Sequence, residues 1–224
     1  MSALFFRHLF TGASLVLALS LSACATTHHA TKNYEMFRAE NPRSILVVPA
    51  TNQTTDVDAP DYFLSTVAVP LAERGYYVFP VFMVQQILSD DGLSDADLVH
   101  AGDPVILANL FGADAVLYVK IERWDARFIL LQTEVTVAFS YTLKSGKTGQ
   151  ALWTDHQSAS YRTGNQNNGI LTSLISAALG RAMPSYVPLA RQANQNSVFR
   201  VGQGLPAGPY DTQYLKDQEA FGKP

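Results

Sequence analysis

Cysteine is all but missing from this chain: one among 224 residues, at position 24. That excludes an intramolecular disulfide and any zinc cluster built from several thiolates. Positive charge is not in excess either. Sixteen Lys and Arg stand against nineteen Asp and Glu, for a formal net charge of −3. A nucleic-acid surface needs a basic excess to meet phosphate, so no nucleic-acid partner is expected. Charged residues are only 16% and hydrophobic residues 47%. Such a chain buries a core and does not stay disordered. Catalytic motifs are missing too: there is no Gly-x-Ser-x-Gly elbow and no His-Glu-x-x-His. The length suits one ordinary domain with appendages.

What is there begins at the N-terminus. Arg7 and His8 precede an uncharged apolar stretch from Leu9 to Leu21. It is short for a membrane span, which needs ~20 residues, and reads as an export signal over 1–23. It ends in Leu21-Ser22-Ala23-Cys24. This is the pattern of a bacterial lipobox. Small residues at 22 and 23 let the extended chain enter a peptidase cleft. The Cys24 thiol takes a diacylglyceryl group, and cleavage frees its amine for another acyl chain. Two or three chains anchor stably where one is marginal. Cys24 is thus the expected lipid-attachment site and the link to a membrane. Ala25 follows it. By resemblance to proteobacterial lipoproteins, where Asp at that position marks inner-membrane retention, this favours the outer membrane. Residues 24–33 read as a polar tether, including the adjacent His28 and His29.

Periodicity sets the expected fold: α/β, a mixed sheet of about five strands with packed helices, over 34–193. Ser44 to Ala50 is a short apolar run, as for a strand buried on both faces. Phe63, Val67 and Leu71 mark a helix from Ala59 to Arg74, with Pro60 in its first turn, Pro70 as a kink and Gly75 as its stop. Tyr76 to Val81 reads as a strand parallel to the first, because the crossover is long. Short helices are expected at Val84–Leu88, Asp95–His100 and Val105–Phe111, with Ser94 and Asp103 as caps. Ala115–Trp124 is a third strand. Thr133–Leu143 alternates strictly. It leads through the turn Lys144–Gly149 into an antiparallel return, Ala151–Tyr161. An apolar helix follows at Ile170–Met183. From Asn194 the chain reads as a Gly- and Pro-rich tail, pinned by Tyr210, Tyr214 and Phe221.

Candidate chemistry is sparse. Gly146-Lys147-Thr148 resembles the end of a phosphate loop, but Tyr141 stands where the motif needs glycine. The segment also joins two strands instead of opening a helix. Asp56, Asp58 and Asp61 follow the first strand. They suit helix capping, with a divalent-cation site as the alternative. Asp90, Asp91, Asp95 and Asp97 lack the calcium-loop pattern. His100 and His156 read as structural, His156 alternatively as a base. Trp153 reads as core, or as an interface anchor if exposed. No metal, cofactor or catalytic residue is assigned. The helix at Ile170–Met183 shows a small, uncharged face of Thr172, Ser173, Ser176 and Gly180. It suits either a docking partner helix or cover by the tail.

Four stretches carry a family resemblance: Tyr34 to Pro49 (YEMFRAENPRSILVVP), Val69 to Pro80 (VPLAERGYYVFP), Phe111-Gly112-Ala113-Asp114, and Gly208-Pro209-Tyr210. Together they resemble a family of bacterial lipoproteins typified by a neisserial surface lipoprotein, for which no biochemical activity is settled. The resemblance implies a fold similar to the N-terminal domain of TolB and a partner such as a CsgG-like lipoprotein. It implies a non-enzymatic accessory or docking role in envelope assembly or secretion, on the periplasmic face of the outer membrane. The alternative is a periplasmic lipoprotein that binds a small ligand or metal. A hydrolase without a familiar motif is a third, remoter reading.

Overall fold

A computed structural model describes residues 32–129, 132–162 and 186–221. The elements run α1 (Glu35–Glu40), β1 (Ser44–Val47), β2 (Thr51–Asn52), α2 (Ala59–Glu73), β3 (Tyr77–Val78), α3 (Val81–Asp90), α4 (Ala96–Ala101) and α5 (Pro104–Phe111). They continue with β4 (Ala115–Ile129), β5 (Gln132–Ser145), β6 (Ala151–Arg162), α6 (Tyr186–Phe199) and α7 (Gln218–Phe221). The sheet is mixed, in the order β3-β1-β4-β5-β6, with β2 also paired to β4. β1 is parallel to β3 and to β4, as the long crossovers require. β4, β5 and β6 form an antiparallel meander.

Each face of the sheet carries its own helices. On one, Phe63, Leu64, Val67 and Leu71 of α2 and Leu189, Ala190 and Ala193 of α6 join Val135, Val137, Phe139, Tyr141 and Leu143 of β5. The period-2 pattern of β5 and the stripe of α2 meet here. On the other face, Val84 and Leu88 of α3, Val99 of α4 and Leu107 of α5 cover Leu46, Val48, Val116 and Tyr118. That second cover explains why β1 is apolar at successive positions. β4 changes phase at a bulge between Ile121 and Arg123. The extra residue lets Ile121 and Trp124, three apart, both point into the first core.

Local signals hold the boundaries. Gly75 (φ +85°) follows α2, and Gly112 (φ +70°) caps α5. Asp103 accepts from the Val105 N–H and Pro104 opens α5. Asp114 does more than end a helix: its carboxylate accepts from both Arg43 N–H and Ser44 N–H, fixing the start of β1. The turn at Gly146-Lys147-Thr148 joins β5 to β6, with Ser145 Oγ accepting from the Lys147 and Thr148 N–H groups.

Several expectations need correction. The cap of α4 is Asp95, not Ser94; its carboxylate accepts from Asp97 N–H at 2.8 Å. Asp58 occupies the N-cap position of α2 but makes no side-chain capping bond; instead Asp56 Oδ1 accepts from Asp58 N–H. The boundary placed between 193 and 194 falls inside α6, where Asn194 is fully buried. The last segment is also not free of regular structure, since α7 lies in it. Tyr214 and Phe221 do pin it, through Asn41 and Tyr34, whereas Tyr210 is exposed. The helix expected at Ile170–Met183 lies outside the described residues.

Candidate docking site

β6 is a twelve-residue strand at the edge of the sheet. Its alternation sends Trp153, Asp155, Gln157 and Tyr161 to the helix-covered side and Thr154, His156, Ser158 and Ser160 to the other. Asp155 therefore faces inward among apolar neighbours, and the sequence surrounds it with donors. Its side chain is only 2% exposed. Oδ1 accepts from Lys32 Nζ at 2.7 Å and Arg200 Nη2 at 2.9 Å. Oδ2 accepts from Gln157 Nε2 at 2.7 Å and Ser197 Oγ at 2.8 Å. A buried carboxylate is tolerable only when its lone pairs are met in this way.

The same cluster holds the N-terminal segment against β6. Lys32 Nζ also donates to the Gln203 carbonyl at 2.8 Å and sits 5.2 Å from the centre of the Trp153 ring. Trp153 Nε1 donates to that carbonyl as well, at 2.9 Å. Burial pulls the Lys32 ammonium below its ordinary pKa, against the opposing pull of Asp155. Burial, with the Asp155 charge second, pushes the phenols of Tyr34 and Tyr141 up. Three open grooves border this strand. One of about 510 Å³ lies between Gln157 and the end of α6 at Phe199 and Arg200. One of about 470 Å³ runs past Asp155 and His156, and one of about 320 Å³ lies beside Lys32 and Trp153.

The outward side carries a second polar group. Glu122, the residue inserted at the β4 bulge, accepts from Ser140 Oγ on β5 and lies 3.0 Å from His156 Nε2 on β6. The Ser140 bond is the first cause that holds the Glu122 carboxyl below its ordinary pKa, and His156 adds to it. Ser, Glu and His are together, but the serine proton points at the carboxylate. A nucleophile would need that proton on the imidazole. The arrangement fixes three strands to one another.

What this edge can do follows from its backbone. Among the described residues, only β5 pairs with β6. A strand edge presents N–H and C=O groups that match an added strand. Of its outward residues, Thr154, Ser158 and Ser160 are short and hydroxylated, which leaves room for close approach.

The remaining sequence candidates fall out as follows. Cys24, with Leu21, Ser22 and Ala23, lies outside the described residues, as do Thr172, Ser173, Ser176 and Gly180. Trp153 is core. His100 Nε2 lies 3.0 Å from the Pro49 carbonyl, and burial lowers its pKa. Asp61 Oδ1 accepts from Gln85 Nε2, so it and Asp56 serve separate local bonds. Among the described residues no three His, Cys, Asp or Glu are grouped as for a metal ion. Asp155, Lys32 and Arg200 were not singled out by sequence. The available signal was phase: Asp155 falls on the same side of β6 as Trp153 and Tyr161.

Residues 32–208 match the family described as "Putative lipoprotein GNA1162-like". The chain belongs to the GNA1162-like lipoprotein family. It is 33% identical over 187 residues to a Neisseria meningitidis protein named "Putative lipoprotein NMB1124/NMB1162", covering 84% of this chain and 87% of that one. The crystal structure of lipoprotein GNA1162 from the same species aligns with a TM-score of 0.54 and 36% identity, over 62% of this chain and 97% of the other. The GNA1162-like family match thus spans the whole β4–β6 meander and both Lys32 and Arg200.

Proposed function

We propose that this lipoprotein is anchored in the outer membrane through Cys24, faces the periplasm, and docks on a protein partner of envelope assembly or secretion. It is an accessory component and does no chemistry of its own. The observation that carries the docking reading is the β6 edge: twelve residues long, bordered by three grooves and clipped to the N-terminal segment through Lys32 and Asp155. The Leu21–Cys24 motif supports the anchor, and the family resemblance supports a CsgG-like lipoprotein as the partner class. The small face of Thr172, Ser173, Ser176 and Gly180 is a second surface proposed for the same role.

Two variants separate anchor from dock. Cys24→Ala should lose acyl labelling; labelling that persists removes the anchor. Ser158→Lys with Ser160→Lys sets charge on exposed edge positions, which opposes strand addition. Crosslinking to membrane partners should fall while the melting temperature holds. Undiminished crosslinking rules out the edge, and if Ser176→Arg then abolishes it, the dock is the other face.

A further inference from the structure

We propose that the outer side of α3, α4 and α5 is a docking surface for a basic amphipathic helix of another protein, separate from the anchor and from the β6 edge. The distribution of charge along the chain is the first observation. Between Arg74 and Lys120 there is no Lys or Arg, and there are six Asp. Asp114 is taken up by the start of β1. The other five, Asp90, Asp91, Asp95, Asp97 and Asp103, are exposed. None of the five is in an ion pair among the described residues. What they accept is neutral: Asp90 from Gln86 Nε2, Asp95 from Asp97 N–H and Asp103 from Val105 N–H. Elsewhere Glu40, Asp125, Glu134, Asp155, Asp211 and Asp217 each face a Lys or Arg.

The second observation is apolar. Fourteen large apolar side chains are exposed among the described residues, and seven of them lie between Tyr77 and Leu110. Tyr77, Phe82, Met83, Leu98, Ile106 and Leu110 are each more than half exposed. They belong to one surface. Val84 and Leu88, Val99 and Leu107, from the same three helices, share one cluster against the sheet, so the outer sides of these helices border one another. The Tyr77 ring lies 5.1 Å from Phe79, and Phe79 lies 6.3 Å from Phe111. That aromatic row carries the apolar surface from the β3 edge across to α5. Ile106 and Leu110, one turn apart, continue it along that helix. An apolar patch rimmed by charge marks an interaction site.

Charge and geometry select the occupant. An anionic membrane surface would meet unpaired carboxylates, and a second copy would set like charges against each other. Strand addition lacks an edge on this side, because β3 has only two residues and Pro80 follows closely. What fits is a segment that offers side chains and keeps its backbone to itself, as an amphipathic helix does. Its apolar face covers Phe82, Met83 and Ile106, and Lys or Arg on its flanks reach the Asp residues. The charges then set partner choice and encounter rate, and the apolar contacts set affinity.

The test uses the full-length lipidated protein in zwitterionic nanodiscs, with empty nanodiscs as the blank. Three labelled helical peptides share a leucine face and carry Lys, Gln or Glu on the other face. The Lys peptide should bind in the micromolar range, at least tenfold tighter than the Gln peptide, with the Glu peptide weaker still; added salt should narrow the gap. Equal affinity of the Lys and Gln peptides, or a preference for Glu, overturns the proposal. Asp90→Asn with Asp91→Asn removes charge at the C-terminal end of α3, where a carboxylate does not serve the helix dipole. This pair should weaken the Lys peptide at least fivefold, and Met83→Ser with Ile106→Ser should do so at least tenfold. All four positions are exposed, so the melting temperature should hold. Glu35→Gln with Glu219→Gln makes the same charge change on α1 and α7; an equal loss there shows attraction to net charge alone and overturns the proposal. In living cells, p-benzoylphenylalanine in place of Ile106 should mark a protein segment with apolar residues and an excess of Lys and Arg. Adducts with lipid alone, or with a second copy of this chain, overturn the assignment of the occupant.

Discussion

Replacing Asp155 with alanine removes the acceptor on which four side chains converge, so the cost can be worked from their surroundings. Ser197 is fully buried and Gln157 nearly so. Each loses its bond to a carboxylate and keeps a donor cut off from water, at about 1–3 kcal/mol apiece. The two cations behave differently. The Lys32 and Arg200 side chains are 25% and 45% exposed and can turn outward, so each adds at most about 1 kcal/mol. The total is about 2–8 kcal/mol, or roughly 4–30 °C in melting temperature for a domain of this size. Asp155→Asn keeps one acceptor oxygen and offers N–H₂ to the Ser197 hydroxyl, so it should cost about 1–2 kcal/mol. Urea unfolding of the two variants measures both numbers. Proteolysis should also begin near Lys32 in the alanine variant, because its ammonium loses its charged partner. A loss below about 1 kcal/mol for alanine, or equal losses for alanine and asparagine, would refute the reasoning.

Three further outcomes follow. Burial holds the His100 imidazole below its ordinary pKa, so the unfolded chain takes up the proton first. That stability is fully present above about pH 6.5 and is lost as pH falls through that value. His100→Gln should flatten the difference in urea midpoint between neutral and mildly acidic buffer; an unchanged slope would count against the assignment. A methyl at Gly208 would press into the Gly75 carbonyl, so Gly208→Ala should cost about 1–3 kcal/mol and speed amide exchange at Tyr210. An unaltered exchange rate would show that the backbone there can yield. Asp58→Ala should change stability by less than about 0.5 kcal/mol, whereas Asp95→Ala should cost about 0.5–2 kcal/mol. Melting curves showing the opposite order would overturn the capping assignments.

The meander was legible because its residues answer to a local rule. Val135 to Leu143 alternate, the turn after Lys144 is short, and both facts lie within one stretch of chain. α2 was legible for the same reason. α6 was not. Asn194 and Ser197 are fully buried, yet they look like surface residues because their partners, Tyr141, Thr66 and Asp155, are remote in sequence. Polar residues that satisfy each other inside the core break the apolar stripe by which a helix is read. α1 escaped notice for another reason: six residues carry too little periodicity. At the candidate dock, the edge position of β6 depends on strand order, which no local pattern encodes. Asp155, with partners at positions 32 and 200, is the extreme case.

α1 is sewn to the segment that carries α7. Tyr34 Oη donates to the Gly204 carbonyl at 2.6 Å across 170 positions, Tyr34 packs edge-on against Phe221, and Arg38 pairs with Asp217. A polypeptide emerges from the ribosome, and from any export pore, with its N-terminal end first. The surfaces of Tyr34 and Phe37 must therefore wait, wet and apolar, while almost everything else is delivered. The meander needs only neighbours a few tens of residues away and can assemble in the interval. Closure then comes as a late event whose timing is set by the arrival of residues 204–221. A chain stalled or clipped before them would hold a formed sheet beside an undocked α1. That is a form with exposed aromatic surface, fit for capture by a chaperone or a protease.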